Sequence, residues 1–285
     1  MPDARLIAQI TTLVDLPGVA DRAEAVRAAC TRLRFHEALR RRIPEAAAES
    51  RVRGAAASAE LGGARLPIDT VRELMSGARP WPANPDPGVA DVRAAVQATA
   101  ESERIVGLVR SAPLQALARL HVAGFGQVLD AAVLGRPRVG DETCEEFADA
   151  GPAPGADVVA ARLSGLTDLV EAAASGQVPG LVVAALVHAE IVAVRPFVYG
   201  NGIVARAMER ALVQATGLEP TGVAVPEMGH LTQRSHVYGG ALAGYAQGSV
   251  EGVALWLRHA ADAMLAGVAE GMRVCDGVRA GRVPR

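Results

Sequence analysis

Apolar residues recur along most of this chain at intervals of three and four positions, the spacing that places them on one face of an α-helix. Across residues 23–42, Val26, Cys30, Leu33 and Leu39 follow this spacing, and three arginines stand at the end, where positive charge suits the helix dipole. The pattern therefore predicts an amphipathic helix over 23–42.

The same periodicity predicts further helices in the rest of the chain. They cover residues 44–61, 68–75, 89–125 with a break near Pro113, 156–174, 179–194, 202–216, 232–247 and 250–268. Segment 134–142, LGRPRVGDE, interrupts the period with two glycines and a proline, which favours a short β-hairpin or an extended flap. The expected fold class is all-α with one small β element.

Four prolines crowd into residues 78–88, ARPWPANPDPG, and exclude a regular helix or a central strand there. We interpret this segment as a linker. It divides the chain into an N-terminal helical region, residues 1–85, and a main body, residues 86–285.

Composition agrees with a soluble helical protein. Hydrophobic residues make up 50% of the chain and aromatic residues 3%, so alanine, valine and leucine must form most of the core. Alanine-rich segments favour helices. The formal net charge of −2 gives no general attraction for nucleic acid or an anionic membrane, so we expect neither as a partner.

Three cysteines, Cys30, Cys144 and Cys275, lie far apart, which suits a reducing cytosol and argues against disulfides and structural zinc. The N-terminus lacks the features of a signal peptide. The most apolar segment, 178–194, is too short to span a bilayer comfortably and contains His188. We expect a cytoplasmic protein.

Between two predicted helices lies the sequence PFVYGNG, residues 196–202. Gly200 and Gly202 flank Asn201 and permit positive φ, so backbone N–H groups can converge on an anion. The next helix directs its free N–H groups to the same point, and Arg206 adds a guanidinium one turn later. Taken alone, GNG is also what an ordinary tight turn contains, and that is its more common explanation.

Residues 195–206, RPFVYGNGIVAR, resemble the signature of the Fic family of nucleotidyl transferases, His-x-Phe-x-Asp/Glu-Gly-Asn-Gly-Arg-x-x-Arg. Around it, VHAEIVAV with His188, RSHVYGGALAGY and the 134–142 segment resemble the flanking helices and the target-docking flap of that family. The resemblance covers roughly residues 45–265. It implies a Fic-type helical core with ATP or another nucleotide as ligand and a protein as target. The matching residues, which it assigns to phosphate binding, are Phe197, Gly200, Asn201, Gly202 and Arg206.

Three departures change the expected chemistry. The base of the family is replaced by Arg195, which stays protonated. Its acidic magnesium ligand is replaced by Tyr199, a poor ligand for a hard cation, and its first arginine by Ile203. Loss of a general base alone costs about 10²–10⁴ in rate. We therefore assign no catalytic residue and no metal ligand, and we expect no ordinary adenylyl transfer; His188, about 10 Å away along its helix, is too distant to replace the base.

The segment from Ser58 to Gly63 resembles the inhibitory helix of many Fic proteins, Ser/Thr-x-x-x-Glu-Gly/Asn, in register. Ser58 and Gly63 match, but Gly62 stands where the inhibitory glutamate would be. Gly62 and Gly63 also explain a simple helix end. If the resemblance holds, Arg206 lacks the carboxylate partner that this segment supplies in the family.

Two questions stay open at the level of sequence. Arg195 either joins Arg206 in a cationic pocket or turns away to solvent or to helix carbonyl groups. The favoured function is a transfer-deficient protein that binds a nucleotide or another small anion. The alternatives are an active transferase with altered phosphoryl or nucleotidyl chemistry, and a non-catalytic partner of another protein.

Overall fold

The computed structural model describes residues 3–281, and these form thirteen α-helices. The helices are α1 (Ala4–Val14), α2 (Val19–Arg34), α3 (Ile43–Leu61), α4 (Ile68–Ser76), α5 (Pro87–Arg104), α6 (Val106–Val109), α7 (Pro113–Phe125), α8 (Ala156–Ala174), α9 (Gly180–Val194), α10 (Asn201–Ala215), α11 (Pro226–Thr232), α12 (Ser235–Ala246) and α13 (Val250–Arg279).

Helix α9 lies at the centre of the molecule. Its sequence, GLVVAALVHAEIVAV, is apolar on all sides, and nearly every side chain is buried because α8, α10, α12 and α13 pack around it. A helix without a polar face is stable only in such a position. The loop from α9 to α10 is therefore anchored in the core at both ends.

Helix α10 is also buried along most of its length, although it carries Arg206, Glu209 and Arg210. Each of these charged groups has a hydrogen-bonding partner, as buried charges require. Arg210, for example, makes two hydrogen bonds to the Glu227 carboxylate at 2.7 and 2.8 Å. Polar side chains of α10 thus connect it to α3, α9, α11 and α12.

The predicted β-hairpin flap at 134–142 is wrong. This segment forms turns, and no β-strand is present between residues 3 and 281. Arg136 makes a bidentate ion pair with Glu142, at 2.7 Å for each bond, and Glu142 also accepts the backbone N–H of Val139 at 2.8 Å. The Glu142 side chain therefore binds the Val139 N–H, which the hydrogen-bond ladder of a hairpin would use. Pro137 has no N–H to donate to such a ladder.

Arg138 from this segment caps the C-terminal end of α9. Its Nε–H donates to the carbonyl oxygen of Arg195 at 2.8 Å, and its own backbone N–H donates to the Pro196 carbonyl at 2.7 Å. A cation at the C-terminus of a helix satisfies free carbonyl groups and opposes the helix dipole. The segment therefore fixes the start of the α9–α10 loop.

Helix α1 was not predicted, and several helix boundaries differ from the prediction. The helix predicted over 23–42 ends at Arg34, and a 3₁₀ turn, Glu37–Arg40, follows, capped by the His36 side chain. The helix predicted over 232–247 begins at Ser235, after the separate α11. Helix α13 continues to Arg279. Within residues 3–281, no helix combines the length and apolar character needed to cross a membrane.

Candidate functional site

The loop between α9 and α10 is shaped by two left-handed residues and one asparagine. Arg195 has φ 46° and Gly200 has φ 89°, and these turn the chain out of α9 and into α10. Asn201 Oδ1 accepts the N–H of Phe197 at 2.9 Å, and Asn201 Nδ2 donates to the carbonyl of the same residue at 2.9 Å. This pair of bonds closes the loop into a fixed ring.

His121 on α7 supports the loop from below. Its ring stacks on Phe197 with centroids 3.9 Å apart, and its Nε2 lies 3.0 Å from the carbonyl oxygen of Tyr199. Its Nδ1 accepts the N–H of Gly135 at 2.9 Å. Burial lowers the pKa of His121 to about 4, so the ring is neutral and Nε2–H is the donor.

Glu146 occupies the point where this loop presents its N–H groups. Its Oε2 accepts the backbone N–H of Asn201 at 2.9 Å and the side-chain Nδ2–H of Asn201 at 2.7 Å. Asn201 is the first residue of the 15-residue helix α10, whose N-terminus carries partial positive charge. An internal carboxylate therefore accepts hydrogen bonds at the N-terminus of α10, the point formed by Gly200, Asn201 and Gly202 that we call the nest.

Phe147 covers the same helix end. Its backbone is left-handed, with φ 54°, and its ring lies so close to Gly202 that a Cβ there would be 2.9 Å from the ring. Together, Glu146 and Phe147 separate the N-terminus of α10 from solvent.

Arg195 points away from the loop and toward residues 146–152. Its Nη1 lies 3.1 Å from the carbonyl oxygen of Glu146, 3.4 Å from that of Phe147 and 2.8 Å from that of Gly151, and its Nη2 donates to the carbonyl of Pro152 at 3.0 Å. Arg195 as a whole is 2% exposed. The side chain thus turns away from Arg206, but it reaches neither solvent nor the end of an α-helix, the two destinations that the sequence offered for this orientation; it binds carbonyl groups of the 146–152 segment instead.

Arg206 is buried and fully engaged. Its Nε donates to the hydroxyl of Ser58 and its Nη2 to the carbonyl of Ser58, each at 2.8 Å. Its Nη1 lies 3.3 Å from the hydroxyl of Tyr238. A Cβ on Gly62 would lie 4.0 Å from Nη2, so the position that the resemblance assigns to an inhibitory glutamate faces this guanidinium.

The space left at the loop is small. A cavity of about 60 Å³ remains, whereas small-molecule sites usually measure about 300–1,000 Å³. It is lined by Ala59, Leu61, Gly62, Asp91, Glu146, Phe147, Tyr199, Gly200, Gly202, Ile203 and Arg206. The structure thus brings the predicted residues Gly62, Gly200, Gly202 and Arg206 around one cavity, but that cavity is too small for a nucleotide.

The fold is identified by its similarity to solved structures. No family model matches the sequence, and no curated protein matches it significantly. A Fic family protein from Desulfovibrio desulfuricans G20 matches with a TM-score of 0.68 and 18% identity, over 90% of this chain and 74% of that one. A fragment of Fic-1 from C. elegans gives 0.67 and 16%, over 96% and 76%. A Fic domain containing signaling protein from Bacteroides thetaiotaomicron VPI-5482 gives 0.64 and 14%, over 90% and 98%.

The chain has the Fic fold. The resemblance that the loop predicted is therefore confirmed at the level of the fold. At these identities the match concerns architecture alone, so activity and ligand have to be argued from the residues themselves.

Tyr199, which the sequence resemblance places at the family's magnesium-ligand position, does not suit magnesium. The Tyr199 hydroxyl lies 2.8 and 2.9 Å from the two carboxylate oxygens of Asp91 on α5. Burial, with a further contribution from Asp91, raises the pKa of Tyr199, so the phenol stays neutral. Mg²⁺ prefers charged oxygen ligands in octahedral geometry. We therefore assign no reaction step to a metal ion bound by Tyr199.

A second buried network lies behind Arg206. His188 Nδ1 is 2.6 Å from Glu209 Oε2 and His188 Nε2 is 2.8 Å from the Tyr238 hydroxyl. His230 Nε2 is 3.0 Å from the same Glu209 oxygen, and His230 Nδ1 is 3.1 Å from His259 Nε2. Two ligands of a tetrahedral zinc would lie about 3.3 Å apart. The shorter separations are those of hydrogen bonds, so we describe the cluster as a polar network that fixes Tyr238.

A larger cavity of about 590 Å³ lies elsewhere, between α3, α4 and α5. Its arginines are already neutralised: Arg51 pairs with Glu103 at 2.7 Å, and Arg72 pairs with Glu49 at 2.8 Å. We assign it no ligand, because among residues 3–281 the buried polar atoms without a partner, Arg195 Nε and His259 Nδ1, lie on residues outside its lining.

Several residues of the site were missed by the sequence analysis. Glu146, Phe147 and Asp91 lie outside the loop motif and have no periodic pattern that marks them. The only signal near Glu146 was the spacing of Cys144, Glu145 and Glu146 just after the 134–142 segment, which does not distinguish it from a solvent-exposed acidic pair.

Proposed function

We propose that this protein binds the phosphate of a nucleotide, or another small anion, at the N-terminus of α10, and that it does not perform adenylyl transfer by the usual Fic chemistry. The observation that supports anion binding is the Glu146 carboxylate on the Asn201 N–H at 2.9 Å. A negatively charged oxygen fits this nest, and its donors are preorganised by the closed loop.

The absence of ordinary transfer is supported by the replacement of three reacting groups. Arg195 remains a cation and is bound to backbone carbonyl groups, so it cannot accept a proton from a target hydroxyl. Tyr199 is neutral and Ile203 is apolar, so neither stabilises phosphate charge. Loss of a base costs about 10²–10⁴ in rate, and loss of a Lewis-acid metal removes several kcal/mol more.

Arg206 is a cation beside the nest, since a Cβ on Gly202 would lie 3.1 Å from its Nη1. Its three nitrogen atoms now contact Ser58 and Tyr238. A phosphate that approaches Gly202 would replace the longest of these contacts, the 3.3 Å bond from Nη1, at little cost. The fork geometry of arginine suits such a bidentate contact.

Two measurements test this function together. Isothermal titration calorimetry with ATP, ADP, GTP and inorganic pyrophosphate, with and without Mg²⁺, measures binding, and incubation with α-labelled ATP measures transfer. We expect binding without covalent label, and Arg206→Lys should weaken binding at least about tenfold because the fork is lost. Label on this protein or on a lysate protein would contradict the loss of transfer. The anion nest would be refuted if neither the wild-type protein nor Glu146→Ala bound any of the four compounds.

A further inference from the structure

The contacts of Glu146 and Phe147 bear on how a ligand reaches the nest. Glu146 uses the backbone N–H of Asn201, which is the donor that a phosphate oxygen would need. Phe147 covers Gly202, the next residue of the helix. A phosphate therefore cannot enter while both remain in place, because one carboxylate already holds the donor and would repel a second anion.

We propose that residues 146–152 form a plug that competes with the phosphate ligand for the nest and is held closed by Arg195. This inference rests on the proposed function of the nest. The plug belongs to the connection between the 134–142 segment and α8, so it is distinct from the Ser58–Gly63 segment, where Gly62 leaves the glutamate position vacant.

Arg195 acts as the latch of this plug. The guanidinium contacts four carbonyl oxygens, those of residues 146, 147, 151 and 152, at 2.8–3.4 Å. It contacts no carboxylate at salt-bridge distance among residues 3–281. The hydrogen bonds of the latch are therefore made to backbone carbonyl groups, and a shift of the segment as a unit would break them together.

The closed state holds local strain. Among residues 3–281 only three non-glycine residues have positive φ, and two of them are Phe147 and Arg195. The Arg195 Nε is buried and has no hydrogen-bond partner within that range. Left-handed non-glycine residues and unsatisfied buried donors both raise the free energy of a conformation. A closed plug that carries both opens more easily than an unstrained one.

The ends of the plug allow it to move. Gly151 has φ 87° and is followed by PAPG, residues 152–155, and the only regular element inside the plug is the three-residue 3₁₀ turn Ala148–Ala150. Two backbone–backbone hydrogen bonds lie within the plug, from the N–H of Ala150 to Phe147 and from that of Gly151 to Ala148. Arginine side chains supply further hydrogen bonds, Arg195 to the plug and Arg138 to the Pro154 carbonyl at 2.9 Å. A segment with so little regular backbone structure opens at low cost once these side chains release it. Movement of the plug would enlarge the cavity of about 60 Å³ that now remains.

Calorimetric titration with inorganic pyrophosphate tests the plug. Glu146→Ala removes the competing carboxylate, and Glu145→Ala removes the same charge from the neighbouring exposed position as a matched control. Apparent affinity falls by the fraction of molecules that are open. We expect Glu146→Ala to bind pyrophosphate at least about tenfold tighter than the wild-type protein, and Glu145→Ala to bind within about twofold of it. Glu146→Gln, which keeps the size of the side chain, replaces Glu146→Ala if thermal melting shows that the latter is unfolded.

The possible outcomes distinguish the proposal of a plug from the proposal of an anion site. Equal affinity of the wild-type protein and Glu146→Ala would overturn the plug and leave the anion site standing. An equal gain in Glu145→Ala would show a general effect of charge and would also overturn the plug. No binding by any variant would overturn the anion site itself, and the plug with it.

Discussion

Arg206 holds Ser58 through two hydrogen bonds, one from Nε to the serine hydroxyl and one from Nη2 to the serine carbonyl, each 2.8 Å long. They join α10 to the end of α3. The guanidinium that the Fic resemblance assigns to phosphate is thus positioned by the segment that would carry the inhibitory glutamate, although the glutamate is absent.

A carboxylate restored at that position should compete for Arg206. A Cβ on Gly62 would lie 4.0 Å from Arg206 Nη2, and Gly62 has an ordinary φ of −86°. We expect Gly62→Glu to weaken pyrophosphate binding at least about tenfold, since the new carboxylate would form a charge-assisted ion pair with the guanidinium that the ligand needs. Titration calorimetry of Gly62→Glu beside Gly62→Gln checks this. Equal weakening in both variants would show that size, and not charge, is responsible.

The shape of the loop depends on Gly200. Its φ is 89°, and a Cβ there would lie 2.1 Å from the Phe125 ring. Gly63 has nearly the same φ, 91°, but open space around it. Gly63→Ala should therefore lower the free energy of unfolding by about 1–2 kcal/mol for the left-handed backbone alone, and Gly200→Ala by at least about 2 kcal/mol more, because overpacking is added. Urea unfolding measures both, and equal losses would mean that Phe125 yields without cost.

Restoring a histidine at Arg195 should not restore transfer. His tolerates left-handed backbone, but Tyr199 and Ile203 still lack the family's charged groups. The four carbonyls bound by Arg195 lose their donor, and we expect the free energy of unfolding to fall by about 2 kcal/mol. Labelled ATP and urea unfolding of Arg195→His, with Arg195→Lys as the charged control, check both expectations. Label incorporation by Arg195→His alone would contradict our account of the site.

Buried histidines should make stability depend on pH. Burial lowers the pKa of His121 to about 4, and burial with the neighbouring His230 lowers that of His259 to about 3, from an ordinary value of 6.5. Below pH 6.5 these histidines are therefore protonated in the unfolded chain but stay neutral in the folded chain. The free energy of unfolding is highest above pH 6.5 and falls as the pH is lowered. Between pH 6.5 and 5 the loss should be about 2 kcal/mol for each histidine. Urea unfolding at pH 7, 6 and 5 tests this, and a flat profile would rule it out.

Much of the helical architecture followed from the sequence, because apolar periodicity reports packing directly. Helices α3, α8 and α9 lie close to their predicted bounds. The end of α2 was not predicted, because the residues that follow it, Phe35 and His36, are neither glycine nor proline, which commonly mark the end of a helix. The division at residues 78–88 into two regions remains a prediction.

The site was less predictable than the helices. The loop motif identified Asn201, Gly202 and Arg206 as site residues. It did not reveal which group accepts the hydrogen bond from the Asn201 N–H. Glu146 precedes Asn201 by 55 positions in a segment without periodicity, so only the tertiary fold brings them together. The hairpin prediction failed for a related reason: Arg136 and Glu142 pair through side chains, and glycine and proline content does not reveal such pairs.

The most direct test of the central claim is the amide resonance of Asn201 in ¹H–¹⁵N correlation spectra of the wild-type protein and Glu146→Ala. We predict that Glu146→Ala moves this resonance upfield in the proton dimension, because the hydrogen bond to the carboxylate is lost, and that pyrophosphate then moves it back downfield together with Gly202. An Asn201 resonance that is unchanged by the substitution, or that stays in place while pyrophosphate binds, would contradict the claim that Glu146 occupies a phosphate site.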